Sequence, residues 1–140
     1  MFTSIVVGTN WSGTAELAVT RAVELARLSG ARLHVVSVDE GTASPVSVTG
    51  AAATGSPHFH ADVALEQTLE RVGGEGVEIV QHTPSGAAAD SIVAVAIEEN
   101  ADLIVVGSKG MQGARRVLGS VPNKISHHAP CDVLIVNTTA

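Results

Sequence analysis

This chain lacks the residues for disulfides, for aromatic stacking and for a basic surface. Cys131 is the only cysteine in 140 residues, so no internal disulfide forms and the composition fits a reducing compartment. Tyrosine is absent and aromatics reach only 2%, so the 45% hydrophobic content rests on Val, Ile, Leu and Ala. Eight basic residues stand against fourteen acids, a net charge of −6, which argues against general nucleic-acid binding because that relies on basic faces. The opening MFTSIVVG has no basic segment, which predicts that it is no signal peptide. No apolar stretch approaches the roughly 20 residues of a membrane-spanning helix. The expectation is one cytoplasmic domain over 1–140, able to bury a core without staples, with neither nucleic acid nor membrane as partner.

What the chain does have is concentrated in VVGSKGMQGARRVLGSVPN, residues 105–123. An apolar run ends at Gly107, a loop with Gly110 and Gly113 follows, and Gly119-Ser120-Val121-Pro122 opens a helix. Strand, glycine-rich loop and helix start, in that order, make a phosphate site: glycines let backbone approach an anion, and free amides at the helix N-terminus point at it. Lys109, Arg115, Arg116 and Lys124 supply four of the eight basic residues, and no acid lies between Asp102 and Asp132. At most one of Arg115 and Arg116 clamps phosphate, since adjacent side chains point different ways; Lys109 is the alternative. The loop is not a Walker loop, since no Gly-Lys-Ser/Thr ends it, and no G-x-G-x-x-G is present.

The remaining chain alternates strands and helices. Residues 2–7, 32–38, 77–81, 102–106 and 132–137 carry short apolar runs and predict five strands. The first helix shows Leu17, Ala18, Ala22, Leu25 and Ala26 at helical spacing before a stop at Gly30. A second covers about 59–72, with Leu65, Leu69 and Val72 on one face. A third is capped by Ser85, with Ile92, Val93 and Ala96 inward and Asn100 near its end. A fourth spans about 120–128. Residues 39–58, poor in charge and rich in Gly, Ser, Thr and Ala, predict a long mobile loop. This alternation predicts an α/β, Rossmann-like three-layer sandwich: a parallel sheet under helices on both faces. Ligands of such sheets bind beyond the carboxyl ends of strands, where strand order reverses. Gly8-Thr9-Asn10 and Gly107-Ser108 are the two strand ends that finish in glycine and small polar residues.

With IVVGTNWS at the start, ADLIVVGSKG, and LGSVPNKISHHAPCDVLIV near the end, the chain resembles the universal stress protein family over nearly its whole length. The family's signature is glycine, two residues, glycine, nine residues, glycine, then Ser or Thr; Gly107, Gly110, Gly119 and Ser120 fill those roles. The resemblance implies strand order 3-2-1-4-5 and four helices. It also implies an adenine nucleotide (ATP, AMP or cyclic AMP, with or without Mg2+) between the ends of strands 1 and 4, and a homodimer through the last strand, about 132–137. By position, the Val38 backbone meets adenine and Asn10 lies at the ribose beside Gly8 and Thr9. Gly107, Gly110, Gly119, Ser120 and Val121 hold the phosphates; Val106, and Arg116 as the basic residue, complete the expected nucleotide-binding set. No redox cofactor is implied.

Two departures moderate this. Eight residues, not nine, separate Gly110 from Gly119, and the first loop carries Asn10-Trp11 where an acid and Gly are usual. A carboxylate-to-amide change weakens the ribose bond by on the order of 1 kcal/mol, tenfold or less in affinity, and removes a charge that could hold a metal ion. The expected function is a stress-response sensor or regulator of modest nucleotide affinity, with an unidentified protein partner. The alternative is a dimeric interaction module of the same fold that has lost its nucleotide. A related ATP pyrophosphatase would want Ser-Gly-Gly-x-Asp-Ser after the first strand, which is absent.

No nucleophile–base–acid set can be assembled, so no catalytic residues are assigned and at most slow ATP hydrolysis is expected. Ser12, Ser108 and Ser120 are better explained as caps or phosphate ligands. His58 and His60 are weak metal candidates, and no metal residues are assigned. His127 and His128 suit the end of the last helix, His34 and His82 are structural, and Cys131 is buried and inert. Val133 to Val136 forms an apolar terminal strand, and pairing with a second copy would close its open edge.

Overall fold

The β-branched runs do become the interior of a sheet. The computed structural model describes residues 2–9, 15–37, 66–71, 73, 75–108 and 119–138. Five strands, β1 (Ser4–Thr9), β2 (Arg32–Ser37), β3 (Ile79–His82), β4 (Leu103–Gly107) and β5 (Asp132–Val136), form one parallel sheet in the order β3-β2-β1-β4-β5. Four helices accompany them: α1 (Ala15–Ser29), α2 (described over 66–71), α3 (Ala88–Glu98) and α4 (Ser120–His128). The expected loop over 39–58 lies outside the described residues.

Alternation along each strand feeds two cores. Ile5, Val7, Leu33, Val35, Leu103 and Val105 meet Ala18, Val19, Ala22, Val23 and Ala26 of α1, with Leu69 of α2 packed alongside. Val6, Val36, Ile104 and Val106 meet Ala89, Ile92, Val95 and Ala96 of α3 and Ile125 of α4. Burying each large aliphatic side chain contributes about 1.5–3 kcal/mol, so the three inner strands β2, β1 and β4 are the most strongly fixed. On α1, Ala18, Ala22 and Ala26 face the core as predicted and Leu25 packs against it, but Leu17 is 42% exposed and Val19 and Val23 are buried in its stead. Leu65 and Val72 lie outside the described residues.

Left-handed residues end two of the helices. After α1, Gly30 takes φ 72° and the Ala31 N–H donates to the Ala26 carbonyl at 3.0 Å. After α3, Asn100 takes φ 51°, its N–H donates to Ile97 at 3.3 Å, and the Ala101 N–H donates to Ala96 at 2.9 Å. Both follow the Schellman pattern, with Asn standing in for Gly. The start of α3 differs from expectation. Its cap is Ala87, in extended conformation and without a side-chain bond, because the chain passes through Gly86 at φ 115° after Ser85 before the helix begins.

Polar ties fix the elements to one another. The Asp102 carboxylate accepts from Thr3 N (2.9 Å), Thr3 Oγ1 (3.2 Å) and Ser4 N (3.2 Å), joining the starts of β1 and β4. Arg71 donates to Glu16 at 2.8 and 2.7 Å, clamping α2 to α1, and Lys124 pairs with Asp90 at 3.0 Å, linking α4 to α3.

Candidate functional site at the ends of β1 and β4

The strand order reverses between β1 and β4. From β1 the chain moves outward through β2 to β3, then crosses over to β4 on the other side of β1. Side by side and parallel, with Val7 registered on Val105, the two strands finish at the same edge as Gly8-Thr9 and Val106-Gly107. β2 ends there too: Ser37 is paired with Thr9, and both are buried.

Close packing explains both terminal glycines. A Cβ on Gly8 would stand 2.3 Å from Ile92 Cδ1, so its absence lets α3 settle against β1. A Cβ on Gly107 would stand 3.0 Å from Thr138 Cγ2. The chain leaving β5 therefore folds back over the end of β4. The Ser108 N–H donates to the Val136 carbonyl at 2.8 Å, and the Thr138 N–H donates to Ser108 Oγ at 3.1 Å. Ser108 and Thr138 are both buried, so the Ser108 hydroxyl ties two chain segments together.

α4 returns antiparallel to the strands. Its last turn precedes Asp132, which is registered on Leu103 at the start of β4. Nine residues rise about 13 Å, which carries its first turn back to the strand-end edge. Gly119 caps it in extended conformation (φ −63°, ψ 161°) without a side-chain bond, and the Asn123 N–H already bonds the Gly119 carbonyl at 3.0 Å. Pro122 has no N–H, so the Gly119, Ser120 and Val121 amides are the donors without an intrahelical acceptor. No acid of its own sits in this turn to offset the positive end of the helix.

Of the residues expected at a nucleotide, Gly8, Thr9, Val106 and Gly107 are thus brought together, and Gly119, Ser120 and Val121 open the helix of the adjacent crossover. Asn10, Val38, Gly110 and Arg116 lie outside the described residues, as do Trp11, Lys109 and Arg115. A depression lined by described residues lies elsewhere, beyond β3, among His82, Ser85, Asp90, Ala94 and Glu98.

That neighbourhood holds a cluster no sequence spacing announces. His34 Nδ1 lies 3.0 Å from His82 Nε2, and His34 Nε2 lies 3.7 Å from Glu99 Oε2. Burial holds His34 below the ordinary imidazole value, against the pull of the Glu99 carboxylate. Forty-eight residues separate the two histidines, so only strand order and register bring them together. His127 and His128 do occupy the last turn of α4. Cys131 is half-buried rather than buried, and burial, with Asp132 and Asp102 nearby, pushes its thiol up. No helix among the described residues is long and apolar enough to cross a membrane.

Known proteins share this arrangement. A sequence model of the universal stress protein family matches residues 1–137. Universal stress protein Rv1636 of Mycobacterium tuberculosis is 36% identical over 146 aligned positions, covering 99% of this chain and 98% of its own length. A crystal structure of a universal stress protein in complex with cAMP superposes with a TM-score of 0.75 at 30% identity, covering 99% of this chain and 98% of that one. The Archaeoglobus fulgidus universal stress protein in complex with dAMP gives 0.66 at 27%, covering 96% and 97%. The chain belongs to the universal stress protein family.

Proposed function

We propose that this protein binds an adenine nucleotide at the shared edge of β1 and β4 and serves as a non-catalytic stress-response sensor or regulator in the cytoplasm. The observation that carries the reading is the juxtaposition of Gly8-Thr9 and Gly107 at the point where strand order reverses, with the uncapped first turn of α4 in the neighbouring crossover. That two relatives of this fold were crystallised with cAMP and dAMP supports adenine as the base. The Ser120 and Val121 amides meet phosphate, Arg116 clamps it, Asn10 accepts from a ribose hydroxyl, and the Val38 backbone meets the base. With Asn10 in place of an acid, affinity is modest and dependence on Mg2+ is small. Titration calorimetry with ATP, AMP and cyclic AMP tests this: saturable heat with at least one is expected, and no heat from any of the three at millimolar concentration overturns it.

A second reading has an observation of its own. Gly8 and Gly107 are both accounted for by internal packing, against Ile92 and Thr138, with no ligand required. In that reading the protein is a dimeric interaction module. Ultraviolet absorbance of the freshly purified protein discriminates, since co-purified nucleotide gives a nucleotide spectrum. In either reading the copies pair through β5, the sheet's edge strand, whose Leu134 is 37% exposed.

A further inference from the structure

The two histidines and the acid beneath α3 lie apart from the nucleotide edge and serve nothing described above. His34 sits on the α3 face of β2, opposite Val80, with His82 two residues further along β3. The rings are therefore diagonal neighbours on one sheet face. Glu99 comes from the C-terminal cap of α3 and is held by its backbone: its N–H donates to Val95 at 2.9 Å, and its carbonyl accepts from Ser4 Oγ at 3.2 Å. Three separate elements thus gather around the His34 ring, with His82 facing its Nδ1 and Glu99 lying off its Nε2.

We propose that His34, His82 and Glu99 bind one divalent transition-metal cation of the Zn2+ type, joining β2, β3 and α3. One ligand atom from each residue lies within 4.8 Å of the other two. The facing nitrogens, 3.0 Å apart, would subtend about 95° at an ion with bonds of about 2.0–2.1 Å, between octahedral and tetrahedral values. The ring centroids are 5.1 Å apart. Two imidazoles on one tetrahedral ion hold their centroids at roughly that distance, so both rings need only turn in place to aim at a shared ion. Glu99 starts at the Nε2 edge of His34 and must swing toward the Nδ1 edge to reach that ion, and its 34% exposed side chain has the freedom to do so. Two imidazoles and one carboxylate form a donor set of Zn2+ and Fe2+ sites that keep further positions open. The depression lined by His82, Asp90 and Glu98 lies alongside for a water at such a position. His34 is 2% exposed, so one ligand is already desolvated and fixed by packing. In the metal-free state one of these nitrogens donates its proton to the other; on binding, that proton moves to the donor ring's other nitrogen or to solvent, so that both facing nitrogens offer lone pairs. This site does not depend on the nucleotide reading.

Competition for Zn2+ against a chromophoric chelator tests it on the full-length protein. One equivalent is expected per chain. His82→Ala should lower the affinity about 100-fold or more and Glu99→Gln about tenfold or more, given that even outer-shell partners shift metal affinity 10–100-fold. Neither side chain is fully buried, so these two carry the test in place of the buried His34, with far-UV circular dichroism confirming that each variant folds. H58A/H60A, which removes the other closely spaced histidines, should bind Zn2+ as the parent does. Co2+ should show the visible bands of a four-coordinate centre in the parent and not in His82→Ala. No binding at micromolar free Zn2+, or binding unchanged in both His82→Ala and Glu99→Gln, would leave a hydrogen-bonded histidine pair and overturn the proposal. Binding lost in H58A/H60A alone would overturn it equally.

Discussion

Gly8→Ala gives the sharpest test of how the nucleotide edge is built. The added methyl would meet Ile92 Cδ1 at 2.3 Å and Cγ1 at 3.1 Å. Carbon atoms rest about 3.5–4.0 Å apart, so the Ile92 terminus must retreat by more than about 1 Å. It has little space to do so: Ile92 is 3% exposed and packs in the core with Val6, Val95 and Val106. Overpacking of this kind costs about 1–3 kcal/mol, and because the clashing atom ends a flexible side chain we place the cost at about 1–2. For a chain of this size that lowers Tm by roughly 3–8 °C. Urea unfolding of the nucleotide-free protein measures it as a fall in the midpoint at constant slope. Ile92→Val removes the offending methyl and by itself costs about 0.5–1.5 kcal/mol. The double variant should therefore be little less stable than Ile92→Val alone, a coupling of about 1 kcal/mol. If Gly8→Ala leaves the midpoint unchanged, α3 does not approach β1 as described and Gly8 is there for the ligand alone.

Three further outcomes follow from named contacts. Ser108→Ala strands the buried Thr138 N–H and should cost about 1–3 kcal/mol by urea unfolding; a neutral effect would mean that the chain after β5 is not tied to β4. Asp102 is partly buried, which alone would raise its pKa, but the bonds from Thr3 and Ser4 prevail and hold it below its ordinary 3.8. A depressed folded value contributes stability that is present above the ordinary value and lost as pH falls through the folded one. Tm should therefore fall more steeply in the parent than in Asp102→Asn as pH drops below about 4, and parallel curves would remove Asp102 from the account. Leu134→Glu, on the exposed edge strand, should turn a sedimenting dimer into a monomer, and a parent that is already monomeric at micromolar concentration would refute pairing through β5.

Runs such as Ile5-Val6-Val7 and Leu103-Ile104-Val105-Val106 were legible as strands because both faces are covered, so every position must be apolar. Gly30 and Asn100 were legible as helix ends for a local reason, the left-handed turn each one makes. Where tertiary packing decides, the sequence said less. Helical spacing fits Leu17 as well as Val19, and only the docking angle of α1 sends Leu17 to solvent. Ser85 has a capping side chain, but the backbone turns at Gly86 before helix geometry begins. Glycines at strand ends suggest ligand approach, whereas Gly8 and Gly107 also admit Ile92 and Thr138, partners 84 and 31 residues away. His34 and His82 carry no local signature, since their meeting depends on β2–β3 register and on where α3 ends.

Hydrogen exchange with and without saturating AMP, cyclic AMP or ATP tests the central claim most directly, because it reports binding and its location together. Slowed exchange is predicted at Thr9, at Gly107-Ser108 and at the Ser120 and Val121 amides, with the start of β1 and β4 near Ser4 and Asp102 unchanged. Exchange at those amides that no nucleotide alters, or slowing confined to other segments, would contradict an adenine-nucleotide site at the β1–β4 edge.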